Sequence, residues 1–119
     1  MNAQEIIKQK KMALYASLES SDIFGKFFYK SILHNAVIME IFSNNTGVGI
    51  SYEKLCLNIP KSLGSRSSIQ NLLNEGLDKK ILIKNESKQD KRIKNYFLSD
   101  QFSQKVLDWI KKQKIIFNS

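Results

Sequence analysis

Between Ser65 and Ser99 the spacing of apolar residues changes once, and that change leaves few folds open. Ile69, Leu72, Leu73, Gly76 and Leu77 fall at the i, i+3, i+4, i+7, i+8 spacing of one helix face. The spacing predicts an amphipathic helix over Ser65 to Lys80, with Ser65 as its N-cap. Gly76 costs a helix about 1 kcal/mol against alanine, so close packing is expected at that point. Ile81-Leu82-Ile83 follows as a short β-prone run, Lys84 to Lys91 is wholly polar, and Arg92 to Leu98 returns as a strand. A helix that feeds directly into a hairpin with a charged tip is the end of a winged helix-turn-helix.

The remaining segments complete that order. Gln4 to Leu18 has the pattern of an amphipathic helix. Ser20-Ser21-Asp22 offers N-caps for the next one. Ile23 to Ser43 is apolar on most of its circumference and is expected to be one long buried helix, the central beam of the domain. Asn44-Asn45-Thr46-Gly47 breaks it, and Val48 to Ile50 is a candidate short strand. Ser51 caps a short helix over Tyr52 to Leu57, and Asn58 to Gly64, with Pro60, is a turn. Ser99 opens a last helix with Phe102, Val106, Trp109 and Ile110 on one face. The expected class is mainly α with a small β-wing, in one domain over 1–119. Residues 1–44 supply N-terminal helices for the core and for dimerisation, 48–98 the winged helix-turn-helix, and 99–119 a C-terminal dimerisation helix.

At 119 residues such a chain can bury a real core. No stretch of 18 uncharged apolar residues occurs, so neither a membrane span nor a membrane partner is expected. Met1 to Lys11 is not followed by a signal-peptide pattern, and a cytoplasmic protein is expected. Cys56 has no second cysteine to pair with, and with a single histidine, His34, no zinc cluster can be assembled from Cys and His. Cys56 is expected as a small buried residue between Leu55 and Leu57, with a redox-sensing thiol as the alternative. No cofactor is expected. Gly47-Val48-Gly49 lacks the third glycine and the following helix of a phosphate loop. No Ser/His/acid or Cys/His arrangement is evident, so the chain is not expected to be an enzyme.

Nineteen basic residues against eleven acidic ones leave a net charge of +8. Such a field attracts polyanions: DNA, RNA or an anionic membrane surface. All but two of the basic residues are lysine, the exceptions being Arg66 and Arg92. With its apolar stripe inward, the Ser65–Lys80 helix presents Ser67, Gln70, Asn71 and Asn74 outward, with Ser65, Arg66 and Ser68 at its N-terminal end. Amide side chains can bond bidentately to adenine in the major groove. Gln70 and Asn71 are therefore the expected base contacts, and Arg66 a guanine or phosphate contact. The alternative is a plain solvated face. In the hairpin, Lys88, Lys91, Arg92 and Lys94 are candidates for phosphate contact, and Asp90, two residues from Arg92, is placed to hold it by an ion pair. The alternative there is a tip kept soluble by charge.

The pattern D-x-R-x5-L-[ST], as Asp90, Arg92, Leu98 and Ser99, resembles the wing signature of MarR-family transcriptional regulators. The preceding S-R-S-S-I-Q-N-L-L-N-E-G-L-D-K-K-I-L-I resembles that family's recognition helix and first wing strand. The likeness covers roughly Ile50 to Phe102, and the short, lysine-rich chain is also similar to the SarA-like branch. It departs from the family pattern in carrying Lys80 where a glycine usually precedes the first wing strand, and Phe102 near the glycine that usually follows the signature. The resemblance implies a homodimer on a palindromic double-stranded DNA site, with Arg92 as the wing arginine and Asp90 as its partner. The first and last helices would pair the two copies. Their apolar faces, Ile6, Leu14, Leu18, Val106, Trp109 and Ile110, with Ile115, Ile116 and Phe117 beyond, exceed what one small domain is expected to cover and are the candidate dimer contacts; the alternative is that they fold back on the chain's own core. The family's small-molecule pocket makes an effector a candidate partner only: the sequence itself shows no ligand pocket, and Tyr29, His34 and Trp109 read first as core, with lining such a pocket as their alternative. The rival function is a winged helix used for protein–protein contact without sequence-specific DNA binding, since fold alone does not fix function.

Overall fold

The computed structural model describes residues 2–19, 22–44 and 49–118. The expected caps Ser20 and Ser21, the break at Asn45-Thr46-Gly47 and the start of the expected strand at Val48 lie outside them. The elements run α1 (Ala3–Glu19), α2 (Ile23–Phe28), α3 (Ile32–Ser43), β1 (Ile50–Ser51), α4 (Tyr52–Asn58), α5 (Arg66–Asp78), β2 (Leu82–Glu86), β3 (Lys94–Leu98) and α6 (Asp100–Asn118).

The single beam expected over Ile23 to Ser43 is two helices, and this corrects the sequence reading. Tyr29 closes α2, and Ser31 in extended backbone starts α3, its hydroxyl accepting from the His34 N–H at 3.1 Å. The break lets both short helices bury their stripes: Phe24, Phe27 and Phe28 from α2, and Val37, Ile38 and Ile41 from α3. It also turns residues outward that an all-round buried helix would have hidden, Ile32 being 71% exposed.

These six side chains form the centre of one core, closed by Leu55 of α4, Ile69, Leu72 and Leu73 of α5, Tyr96 and Leu98 of β3, and Phe102 and Val106 of α6. Phe28 stacks on Phe24 with centroids 5.0 Å apart and meets Trp109 edge-on at 5.1 Å. Phe102 sits in this aromatic cluster beside Phe24 and Phe27. Cys56 is half-buried rather than buried.

The three strands are antiparallel in the order β1-β3-β2, with Ile50 opposite Tyr96 and Leu82 opposite Leu98. Tyr96, Leu98 and Leu82 turn inward and seat the wing on the helices. Gly76 is where α5 passes closest to β2; a Cβ there would stand 2.6 Å from Leu82 Cδ1. The helix-to-wing turn is a Schellman closure, in which the Ile81 N–H donates to the Gly76 carbonyl at 2.9 Å and the Lys80 N–H to Leu77 at 3.1 Å. Lys80 takes the left-handed position with φ 61°. A lysine pays roughly 1–2 kcal/mol there that a glycine does not.

Gly25 makes another close approach. A Cβ at this point of α2 would fall well inside van der Waals contact distance of the Ser17 carbonyl oxygen on α1. Backbone cannot rotate away as a side chain can, so Gly25→Ala should push α1 off α2. The expected loss is about 1–3 kcal/mol in denaturant unfolding. An unchanged midpoint would mean that α1 does not seat at this distance.

Candidate nucleic-acid interface

Two serine caps set the helix-turn-helix. Ser51 accepts from the Lys54 N–H and starts α4; Ser65 accepts from the Ser68 N–H and starts α5. The two helices are tied side by side, since the Tyr52 hydroxyl donates to the Arg66 carbonyl at 3.0 Å. The Arg66 guanidinium lies over the Tyr52 ring at 5.2 Å and pairs with Glu53, whose hydrogen bond raises the arginine's already high pKa. Arg66 is thus anchored to α4 while its guanidinium stays largely exposed.

The stripe of α5 is buried at Ile69, Leu72, Leu73 and Gly76. Ser65, Arg66, Ser67, Ser68, Asn71 and Asn74 are exposed, and Gln70 is half-buried. The Gln70 amide donates to Asn74 Oδ1 at 3.1 Å, and the Ser65 hydroxyl sits 3.1 and 3.0 Å from those of Ser67 and Ser68. Asn71 stands at the middle of this polar face and is exposed.

The wing is closed by hydrogen bonds from the Ser87 N–H to the Ile93 carbonyl and from the Ile93 N–H to the Asp90 carbonyl. Asp90 holds Arg92 with both carboxylate oxygens, Nε to Oδ1 at 3.1 Å and Nη2 to Oδ2 at 3.0 Å, and takes the Arg92 backbone N–H as well. The guanidinium bonds, then the backbone one, pull the Asp90 carboxyl below its usual range. The Arg92 side chain is nonetheless 91% exposed. It is a cation with a fixed direction and an open face. Lys88 and Lys91 are exposed beside it, whereas Lys94 pairs across the strands with Glu86 at 2.9 Å. From Lys84 to Lys94 five cations face two anions, so the wing carries +3.

One constellation escaped the sequence reading. Glu75, on the flank of α5 one turn beyond Asn71, receives Lys30 at 2.5 Å and Lys79 at 3.1 Å on Oε2 and His34 Nε2 at 2.9 Å on Oε1. Burial alone would raise this carboxyl; the hydrogen bonds from Lys30, His34 and Lys79 outweigh it and hold the pKa at about 2. A carboxyl lowered on folding stabilises fully above its unfolded value, near 4.5, and loses that contribution as pH falls through about 2. Glu75→Gln should therefore be less stable than the parent at pH 7, on the order of 1–2 kcal/mol with half-exposed partners. The gap should close in unfolding curves taken toward pH 2, and a constant gap would rule this network out as its source. The Glu75–Lys79 pair is legible as i,i+4 spacing; Lys30 and His34 reach it only because the chain turns at Tyr29 to Ser31.

His34 thus turns toward Glu75, away from the candidate pocket. Tyr29 and Trp109 do line one, a cleft of about 700 Å³ between α1, α2 and α6 that also takes in Leu14, Phe24, Lys10 and Lys105. The Trp109 indole N–H donates to the Tyr29 hydroxyl at 2.6 Å across its wall. Of the terminal apolar residues, Val106 lies inside the chain's own core at 4% exposure, and Trp109 and Ile110 pack against that core. Ile6 and Leu14 are half-buried. The exposed apolar side chains of these helices are Leu18, with Ile7, Met12 and Tyr15 on α1, and Leu107, Ile115 and Phe117 on α6. Among the described residues no helix is long and apolar enough to cross a membrane.

No protein-family profile and no curated protein matches the sequence. Solved structures do match. A mutant of S. aureus MepR is 20% identical, superposes over 97% of this chain and 71% of its own with a TM-score of 0.51. A second MepR mutant, from a multidrug-resistant S. aureus clinical isolate, gives 17% identity, 98% and 74% coverage and a TM-score of 0.52. A mutant of Lactococcus lactis ZitR gives 11%, 99% and 80% coverage and 0.54. At these identities the likeness is one of fold. The fold they share is a winged helix, mainly helical with a small three-stranded antiparallel sheet.

Proposed function

We propose that this chain is a transcriptional regulator, not an enzyme, that binds double-stranded DNA as a homodimer in the cytoplasm. In this reading α5 enters the major groove, Asn71 contacts a base edge, and the β2–β3 wing lies along the phosphate backbone with Arg92, Lys88 and Lys91. The observation that carries it is Arg92: a guanidinium locked by two bonds to Asp90, yet with its outer face open, at the tip of a +3 wing. An ion pair that merely stabilised the hairpin would not need a chain of net charge +8 around it. The exposed apolar side chains of α1 and α6, two helices packed on each other, support the dimer, since exposed apolar surface on neighbouring elements is what association would cover. Two-fold symmetry would set two α5 helices about one DNA turn apart. Small-molecule sensing has one candidate position, the α1–α2–α6 cleft.

The test is binding to random duplex DNA as salt rises. A regulator of this design, with about six to ten phosphate contacts per dimer, loses roughly 10³–10⁵ in affinity between about 50 and 200 mM salt. No affinity at low salt would instead favour a winged helix used for protein contact. Asn71→Ala should then cost about 1–3 kcal/mol at one base position in a site selected from random sequence, and relax the preference there. A preference left unchanged would move the reading face elsewhere on α5.

A further inference from the structure

The Glu75 constellation joins the DNA-facing helix to the turn between α2 and α3. Both carboxylate oxygens are used, by Lys30 from the turn, His34 from α3 and Lys79 from α5 itself. The His34 ring is fixed on every side. Its Nδ1 is 2.7 Å from the Ser31 hydroxyl, its Nε2 faces Glu75, and the Phe27 ring meets it edge-on at 4.9 Å. Asn71 lies four residues before Glu75 on the same flank of α5, so a shift of Glu75 is a shift of Asn71. The same turn is tied to α6 through the Trp109–Tyr29 hydrogen bond.

We propose that Glu75 and His34 are positioning residues for the DNA-reading helix; the DNA part of this rests on the function proposed above. An ionised Glu75 only accepts, so His34 Nε2 must donate, and the Ser31 hydroxyl on Nδ1 fixes the ring that does so. Lys30 and Lys79 share Oε2 and leave Oε1 to the ring. The carboxylate thus ties α5 to the α2–α3 turn and to α3 at once.

The experiment has two arms. The first needs no DNA: amide exchange along α5 of the full chain at about pH 7. Glu75→Gln and His34→Ala should speed α5 exchange about tenfold. His34→Gln, which keeps a donor near the Nε2 position, should hold α5 as the wild type does. The second arm compares a duplex selected by the wild type with a random duplex of equal length. The affinity ratio should fall about tenfold in Glu75→Gln and His34→Ala, while random-duplex affinity holds. Unaltered α5 exchange in Glu75→Gln and His34→Ala, or exchange in His34→Gln as fast as in His34→Ala, overturns the proposal. If the wild type selects no duplex, the regulator reading falls, and the exchange arm still decides whether the network holds the helix.

Discussion

A Phe28→Ala chain should lose about 3–5 kcal/mol of unfolding free energy. Phe28 is fully buried, stacks on Phe24, meets Tyr29 edge-on at 5.0 Å and meets the Trp109 indole of α6. Truncation removes the transfer free energy of a phenyl ring and leaves a cavity that rings on three sides cannot collapse to fill. The whole domain is worth roughly 6–18 kcal/mol at 0.05–0.15 kcal/mol per residue, so this one change would take a large share. The loss should appear in urea unfolding as a lower midpoint. Trp109 fluorescence should report the same transition, because its indole forms one wall of the cavity. A loss below about 1 kcal/mol would mean that α6 does not pack on α2 as described.

The second large effect concerns DNA. Replacing Lys88, Lys91 and Arg92 together by alanine should flatten the slope of log affinity against log salt by about 0.9 for each phosphate no longer neutralised, roughly 2.7 per wing. At low salt the affinity should fall about a hundredfold or more, on random and selected duplexes alike, because phosphate contacts position without specifying. These side chains are exposed and bury no apolar surface, so the melting temperature should hold. Asp90→Ala is a useful companion: it keeps every cation but releases Arg92. If direction matters, it weakens binding while leaving the slope nearly intact. A triple variant that binds with the parent's slope would remove the wing from the interface.

Much of this architecture is legible in the sequence because its signals are local. Ser51 and Ser65 are caps of the most favoured type. The stripe from Ile69 to Leu77 repeats at helical spacing, and the polar run at Lys84 to Lys91 stands between two β-prone segments. Gly76 announces a close approach, and Leu82 is what it approaches. The break at Tyr29 to Ser31 is not legible in the same way. Neither Gly nor Pro stands there, and Ser31, though a cap of the same type, has apolar residues continuing on both sides with no turn signal beside it. What settles the break is distant: α1 pressing on Gly25, the indole of α6 on the Tyr29 hydroxyl, and Glu75 on Lys30 and His34. The Glu75 network is hidden for the same reason, as it is assembled from residues 41 to 45 positions apart. Val106 reads as an outward residue because one helix face can serve a core or a partner, and periodicity does not say which. Lys80 shows the limit from the other side: the glycine that the turn prefers is missing, and the turn forms regardless, with Ile81 buried behind it.

The pairing of α1 with α6 has a consequence for how the molecule comes into being. α1 has no fully buried residue, and what cover it has comes from α2 and α6. On a ribosome adding roughly 5–20 residues per second, about 80 residues separate the release of α1 from the start of α6. For several seconds Ile6 and Leu14 stay wet and the aromatic cluster of α2 lacks Phe102 and Trp109. The nascent chain therefore remains open to chaperones until α6 has been made, and its core closes in one late step rather than by stepwise growth.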